Sequence, residues 1–137
     1  MRARVIYDSR IFDKNALIGK AILVRVSRYR FPAFCYDYDS DSDKYHCLKI
    51  RKRKERDDIR CNWIIYVGSN GLKYDGVAMV SVVVPVTTAD IDRILGFIGY
   101  AKVQEVCRKI KAIENLERLE NQDETLKEIK NLLNRSE

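Results

Sequence analysis

Trp63-Ile64-Ile65-Tyr66-Val67-Gly68-Ser69-Asn70-Gly71-Leu72-Lys73-Tyr74 is the stretch that decides the fold. Its first five residues are aromatic or β-branched, side chains that suit a pleated, half-buried surface. Asn70-Gly71 follows, and both residues tolerate positive φ, as the centre of a type I′ hairpin requires. That register pairs Ser69 with Leu72 and Val67 with Tyr74, and sets Trp63 opposite Ala78. It predicts strands over 59–67 and 72–84, the second ending at Pro85.

Working upstream, Lys20 to Phe31 alternates as a strand, with Ile22, Val24 and Val26 on one face and Arg25, Ser27, Tyr29 and Phe31 on the other. Pro32 is expected to end it or to mark an edge. Tyr45 to Arg53 reads as another strand, with Leu48 and Ile50 inward and Lys49, Arg51 and Arg53 outward. Downstream of Pro85 the period changes from two to about 3.6. Thr87 or Thr88 is placed to cap a helix, and Ile91, Ile94, Leu95 and Ile98 make its stripe. Val103, Val106, Ile110, Ile113, Leu116, Leu119, Leu126, Ile129 and Leu133 continue the apolar pattern, as one amphipathic helix or as two with a break near Asn121. The expected fold class is α+β: a small antiparallel β-sheet (meander) followed by C-terminal amphipathic helices. Residues 1–100 form a basic sheet-and-helix domain, and 101–137 a helical extension that associates two copies.

Charge is unevenly distributed. Residues 1–60 carry 16 Lys/Arg against 9 Asp/Glu, whereas residues 61–137 carry 10 against 11. Aromatics are interleaved with the cations, as in Arg28-Tyr29-Arg30-Phe31. Alternate cations on a strand stand about 7 Å apart, twice the residue rise, a spacing that suits successive phosphates. Such a surface points to single-stranded nucleic acid, the cations meeting phosphates and the rings stacking on bases. The candidate binding residues are Arg25, Arg28, Tyr29, Arg30, Phe31, Tyr45, Lys49, Arg51, Lys52, Arg53, Arg60, Trp63 and Tyr66. DNA is favoured over RNA or duplex, with little sequence specificity. The alternative is a regulatory module that docks an acidic partner protein through the same face.

Catalysis, cofactors and metals find no motif. His46 is the one histidine, and Cys35, Cys47, Cys61 and Cys107 lack the paired short spacing of a zinc site. They read as core packing, with Cys47 and Cys61 the pair that a hairpin brings face to face. Asp37 to Asp43 is acidic but fails the calcium-loop pattern, with Ser42 or Lys44 where glycine is needed. Asp57 and Asp58 are adjacent, so on a strand they point apart and share no metal. The expectation is therefore a protein that is not an enzyme and holds no cofactor. Met1 to Arg10 contains no apolar leader and no stretch is long enough to span a membrane, which makes an intracellular, cytoplasmic location the expectation.

The order of parts, a basic sheet, a helix after Pro85-Val86-Thr87-Thr88 and a terminal apolar-stripe helix, resembles the ThermoDBP-type single-stranded DNA-binding proteins of hyperthermophilic archaea and the analogous proteins of their viruses. The high Lys, Arg and Glu content is similar to that of heat-adapted proteins. The resemblance implies a groove with an apolar floor and basic flanks, a homodimer joined by its C-terminal helices, and a protein that is either archaeal or virus-encoded and acting in the host cell.

Overall fold

A computed structural model describes residues 14–135, without the side chains at 123–126 and 133–135. The leader reading of Met1 to Arg10, and the side chains of Leu126 and Leu133, lie outside the described residues. Six strands are present: β1 (Lys20–Val26), β2 (Tyr29–Asp39), β3 (Lys44–Lys52), β4 (Ile64–Gly68), β5 (Gly76–Val86) and β6 (Ile91–Phe97). They form one antiparallel sheet in the order β4-β5-β3-β2-β1-β6, followed by a single helix, α1 (Tyr100–Arg135). The expected α+β class holds.

Both faces of the sheet are covered. On one face Ala21, Phe34, Leu48, Ile50, Ile65 and Ala78 pack with Val106 and Ile113 of α1. On the other, Ile22, Val24, Ala33, Cys35, Cys47 and Val86 pack with Leu17, from a short 3-10 turn at Lys14–Leu17. This two-sided burial is why β1 and β5 carry apolar runs in place of strict alternation.

Three local expectations are corrected. Residues 20–31 are not one strand: the chain reverses at Ser27, which adopts a φ of 56°, and Arg25 pairs directly with Arg30 across the new hairpin. Pro32 therefore lies inside β2, just before the ladder to β3 begins at Ala33, where the strand has one partner instead of two. The Asn70–Gly71 turn is real but longer than a two-residue hairpin. Gly68 pairs with Gly76 and Ile65 with Ala78, so residues 69–75 form a loop. The third correction concerns 87–99. Thr87 and Asp90 close a single 3-10 turn, and the Thr87 hydroxyl and amide donate to the Asp90 carboxylate at 2.9 and 3.2 Å. The chain then continues as edge strand β6 against β1. Two register shifts explain the helical look of its sequence. They send Ile91 and Ile94 to one core and Leu95 and Ile98 to the other, so the apolar spacing reads three and one.

The 69–75 loop folds back across the sheet to β6. Gly71 has a φ of +71°, and a Cβ on it would lie 1.9 Å from the carbonyl oxygen of Leu95. A Cβ on Gly96 would meet the Asn70 oxygen at 3.0 Å. The loop beside one sheet edge thus touches the opposite edge, and only glycine permits the approach. Gly71→Ala is expected to destabilise the protein by on the order of 2–5 kcal/mol, from a left-handed alanine and a backbone overlap. Thermal or urea unfolding measures it.

Candidate nucleic-acid interface

The antiparallel register gathers charge by sign. The β1–β2 turn, the end of β3 and the 69–75 loop lie at one end of the sheet, as the pairs Val26–Tyr29 and Lys52–Gly76 require. Arg25, Arg28, Arg30, Lys52, Arg53 and Lys73 are all exposed there. The opposite end carries the β2–β3 turn with Asp37, Asp39, Asp41 and Asp43. Asp39 accepts bonds from the Asp41 amide and the Ser42 hydroxyl, Lys14 pairs with Asp43 at 3.2 Å, and the Tyr38 hydroxyl also bonds Asp43. These bonds hold the Asp39 and Asp43 carboxyls below the usual carboxylate range. No cluster of metal-ligating side chains occurs among the described residues.

Two clefts open at the basic end. The first, about 290 Å³, is lined by Leu23, Arg30, Pro32, residues 71–74, Arg93 and Leu95. Arg30, Lys73 and Arg93 are its charged groups, set against an apolar floor of Leu23, Pro32 and Leu95, and no carboxylate, imidazole or thiol lines it. The second, about 430 Å³, is lined by Val26, Tyr29, Arg30, Phe31, Lys49, Val82 and Val84. Tyr29 is 75% exposed, and the Lys49 ammonium lies 5.2 Å from the centre of the Phe31 ring, a cation–π contact. Arg30 borders both clefts. The direct Arg25–Arg30 pairing sets like charges on neighbouring strands, which opposes folding by a few tenths of a kcal/mol to about 1.

The structure brings together Arg25, Arg28, Tyr29, Arg30, Phe31 and Lys49 of the sequence-predicted set. It places others differently. Tyr45 is fully buried and its hydroxyl donates to the Lys14 carbonyl at 2.8 Å, so it offers no face for stacking. Arg51 forms two 2.8 Å bonds with Asp57, and the Lys54 amide donates to the same carboxylate at 2.7 Å, so Arg51 holds the β3–β4 loop. Arg53 lies 4.9 Å from the Tyr66 ring centre, and the Tyr66 hydroxyl donates to Asp75. Lys52 and Arg60 are exposed, Arg60 beside Asp58 at 3.1 Å, and Trp63 is 52% exposed on the β3–β4 connection. Sequence reading missed Lys73 and Arg93, the latter because its segment read as a helix. The pair Gly71 and Gly96 was the available signal for a close backbone crossing.

The expected association stripe divides. Val106 and Ile113 are core residues and Val103 and Ile110 pack against them, so these four side chains face their own sheet. They bind α1 to its own sheet. Lys109 reinforces this by donating to the carbonyls of Ile59, Cys61 and Ile64 at 2.8–3.0 Å. Leu116, Leu119, Ile129 and Leu132 remain exposed. The four cysteines are free thiols; Cys35 and Cys47 are core residues paired across β2 and β3, displacing the Cys47–Cys61 expectation, whereas Cys61 is half-buried and Cys107 is exposed, so the core-packing expectation fails for Cys107. Among the described residues no helix is long and apolar enough to cross a membrane.

The six-stranded antiparallel sheet followed by a helix is similar in fold to solved structures of MazF-type toxins. The solved structures that share it include the Mycobacterium tuberculosis toxin MazF-mt6, at a TM-score of 0.56 and 11% identity, covering 70% of this chain and 96% of that one. A second is an endoribonuclease from a mycobacterial species in complex with its cognate antitoxin, at a TM-score of 0.56 and 10% identity, covering 73% of this chain and 95% of that one. No protein-family model and no curated protein matches. The comparison overturns two expectations. The ThermoDBP-type resemblance does not hold, since it required a helix where β6 runs and the fold is shared with MazF-type toxins instead. The expectation of a non-enzymatic protein also falls, because the fold is that of an endoribonuclease. It rested on missing motifs, and phosphate chemistry driven by cations needs no such motif.

The Arg51–Asp57 pair makes a pH prediction. Bonds from Arg51 and Lys54 hold the Asp57 carboxyl well below the usual carboxylate range. A depressed folded pKa contributes stability that is complete above about pH 5, a unit over the ordinary value near 3.9, and is lost progressively as pH falls below that. Thermal scans should show the Asp57→Asn variant less stable at pH 7, with its curve converging on that of the parent protein toward pH 2.

Proposed function

We propose that this chain binds single-stranded RNA at its basic end and cleaves it in the cleft of Arg30, Lys73 and Arg93. The observation that carries the reading is that cleft: three cations around an apolar floor, with no opposing carboxylate. The fold shared with an endoribonuclease supports it. A phosphate between the three cations places one base on the Leu23–Pro32–Leu95 floor, and Tyr29 offers a stacking face for the next.

The lining residues include no carboxylate, imidazole or thiol to act as base or nucleophile, and the attacking group in this reading is the substrate's own. In RNA the ribose 2′-hydroxyl attacks the adjacent phosphorus. Its bond to phosphorus forms as the bond to the 5′-oxygen breaks, leaving a 2′,3′-cyclic phosphate and a 5′-hydroxyl. The proton lost by the 2′-oxygen passes to water and one is gained by the leaving oxygen, from the Lys73 ammonium or the Tyr74 hydroxyl. Arg30 and Arg93 stabilise the charge that accumulates on the non-bridging oxygens, the effect that commonly dominates such catalysis. Single-stranded DNA lacks the 2′-hydroxyl, so it binds without being cut.

The second cleft favours a further reading, in which the same surface takes an acidic, apolar-studded protein segment. Val26, Tyr29, Phe31, Val82 and Val84 make it the more apolar of the two. An endoribonuclease of this fold is held by an antitoxin. A partner docked there competes with RNA because Arg30 borders both clefts.

Electrophoresis of a labelled unstructured RNA after incubation with the protein tests the reading. Cleavage products ending in cyclic phosphate are expected, with none from DNA of the same sequence. Arg30→Ala or Arg93→Ala should lower the rate about 100-fold or more, the cost typical of one lost oxyanion contact. Binding measured at two salt concentrations should lose about 2 in log K per decade of salt, since three phosphate contacts contribute roughly 0.7 each. Intact RNA together with salt-independent binding refutes it.

A further inference from the structure

We infer that the outer half of α1 is a self-association element that pairs with the same segment of a second copy in antiparallel orientation. The helix runs 36 residues, and its contacts with the sheet core end at Ile113. The 22 residues from Glu114 to Arg135 extend beyond the core for about 33 Å at 1.5 Å per residue. Helices of that length gain most of their stability from packing an apolar face, and among the described residues the sheet core takes no apolar side chain of this one beyond Ile113. Its described apolar residues are open: Leu116 53%, Leu119 55%, Ile129 48% and Leu132 63% exposed.

Charge fixes both the partner and the direction. Residues 114–124 hold five acidic residues and one arginine, a balance of −4, while residues 125–135 hold three basic residues and one glutamate, a balance of +2. A parallel pair sets acid against acid and base against base. An antiparallel pair sets the acidic half of each copy beside the basic half of the other, so the segment is complementary to itself in that direction alone. With Leu119 opposite Ile129 of the second copy, residue numbers across the pair sum to about 248. Leu116 then comes level with Leu132, Glu117 with Lys130 and Glu120 with Lys127. The cleft residues and the sheet core take no part, so the inference stands independently of RNA cleavage.

Sedimentation equilibrium of the full chain tests it. Twice the chain mass is expected at micromolar to millimolar concentration, with dissociation promoted by salt. Leu119→Asp with Ile129→Asp, both at exposed positions, should give a monomer whose circular dichroism in the sheet region is unchanged. Glu117→Lys with Glu120→Lys should raise the dissociation constant tenfold or more, and adding Lys127→Glu with Lys130→Glu should restore it. A monomeric parent protein overturns the inference. So does a dimer that survives the double aspartate variant, or a charge reversal that the second pair of changes does not rescue.

Discussion

The contact between the backbone of Asn70–Gly71 and that of Leu95–Gly96 is the constraint on which the basic end of the sheet depends. A six-stranded open sheet leaves its first and last neighbours far apart. Here a loop beside one edge reaches the other and rests on it without intervening side chains. That crossing carries Lys73 and Tyr74 over to Arg93 on β6 and encloses the floor formed by Leu23 and Pro32. Without it, the three cations would be separate surface charges, each fully hydrated and each weak toward a phosphate. The crossing sets the three exposed cations around one apolar-lined cleft.

Topology then separates charge of opposite sign. Because neighbouring strands are antiparallel, alternate turns fall at opposite ends, and the acidic run from Asp37 to Asp43 lies at the far end from the Arg28–Arg30 hairpin. The carboxylates are engaged locally, with Lys14, Ser42 and backbone amides, so they do not neutralise the basic end. The resulting polarity gives the cleft end of the sheet a positive potential and the far end a negative one. The β3–β4 loop adds positive charge to this end, with Arg51 spent internally on Asp57 to hold the loop in shape.

Much of this was legible in the sequence. The strand-rich centre, the long terminal helix and the basic character of the Arg25–Lys49 region follow from side-chain type and alternation. Three features were not. Ser27 gives no outward sign of the turn it makes, since the alternation of β1 runs on without interruption into Tyr29 and Phe31. The β6 segment carries two register shifts, which convert a period of two into an apparent helical stripe and hid Arg93. The role of Asn70–Gly71 as a bridge depends on what lies opposite, information that is nonlocal by nature. Tyr45 and Trp63 look alike as isolated aromatics in basic surroundings, yet one is fully enclosed and the other half-open. Only the packing of Leu17 and Lys14 over Tyr45 separates them.

The Arg25–Arg30 pair has a thermodynamic corollary. Two like charges directly opposed in a ladder raise the free energy of the empty native state. An anion seated beside them removes that repulsion, so part of the binding free energy is relief of a burden carried by the fold itself. Any anion held beside them would therefore couple its binding to folding.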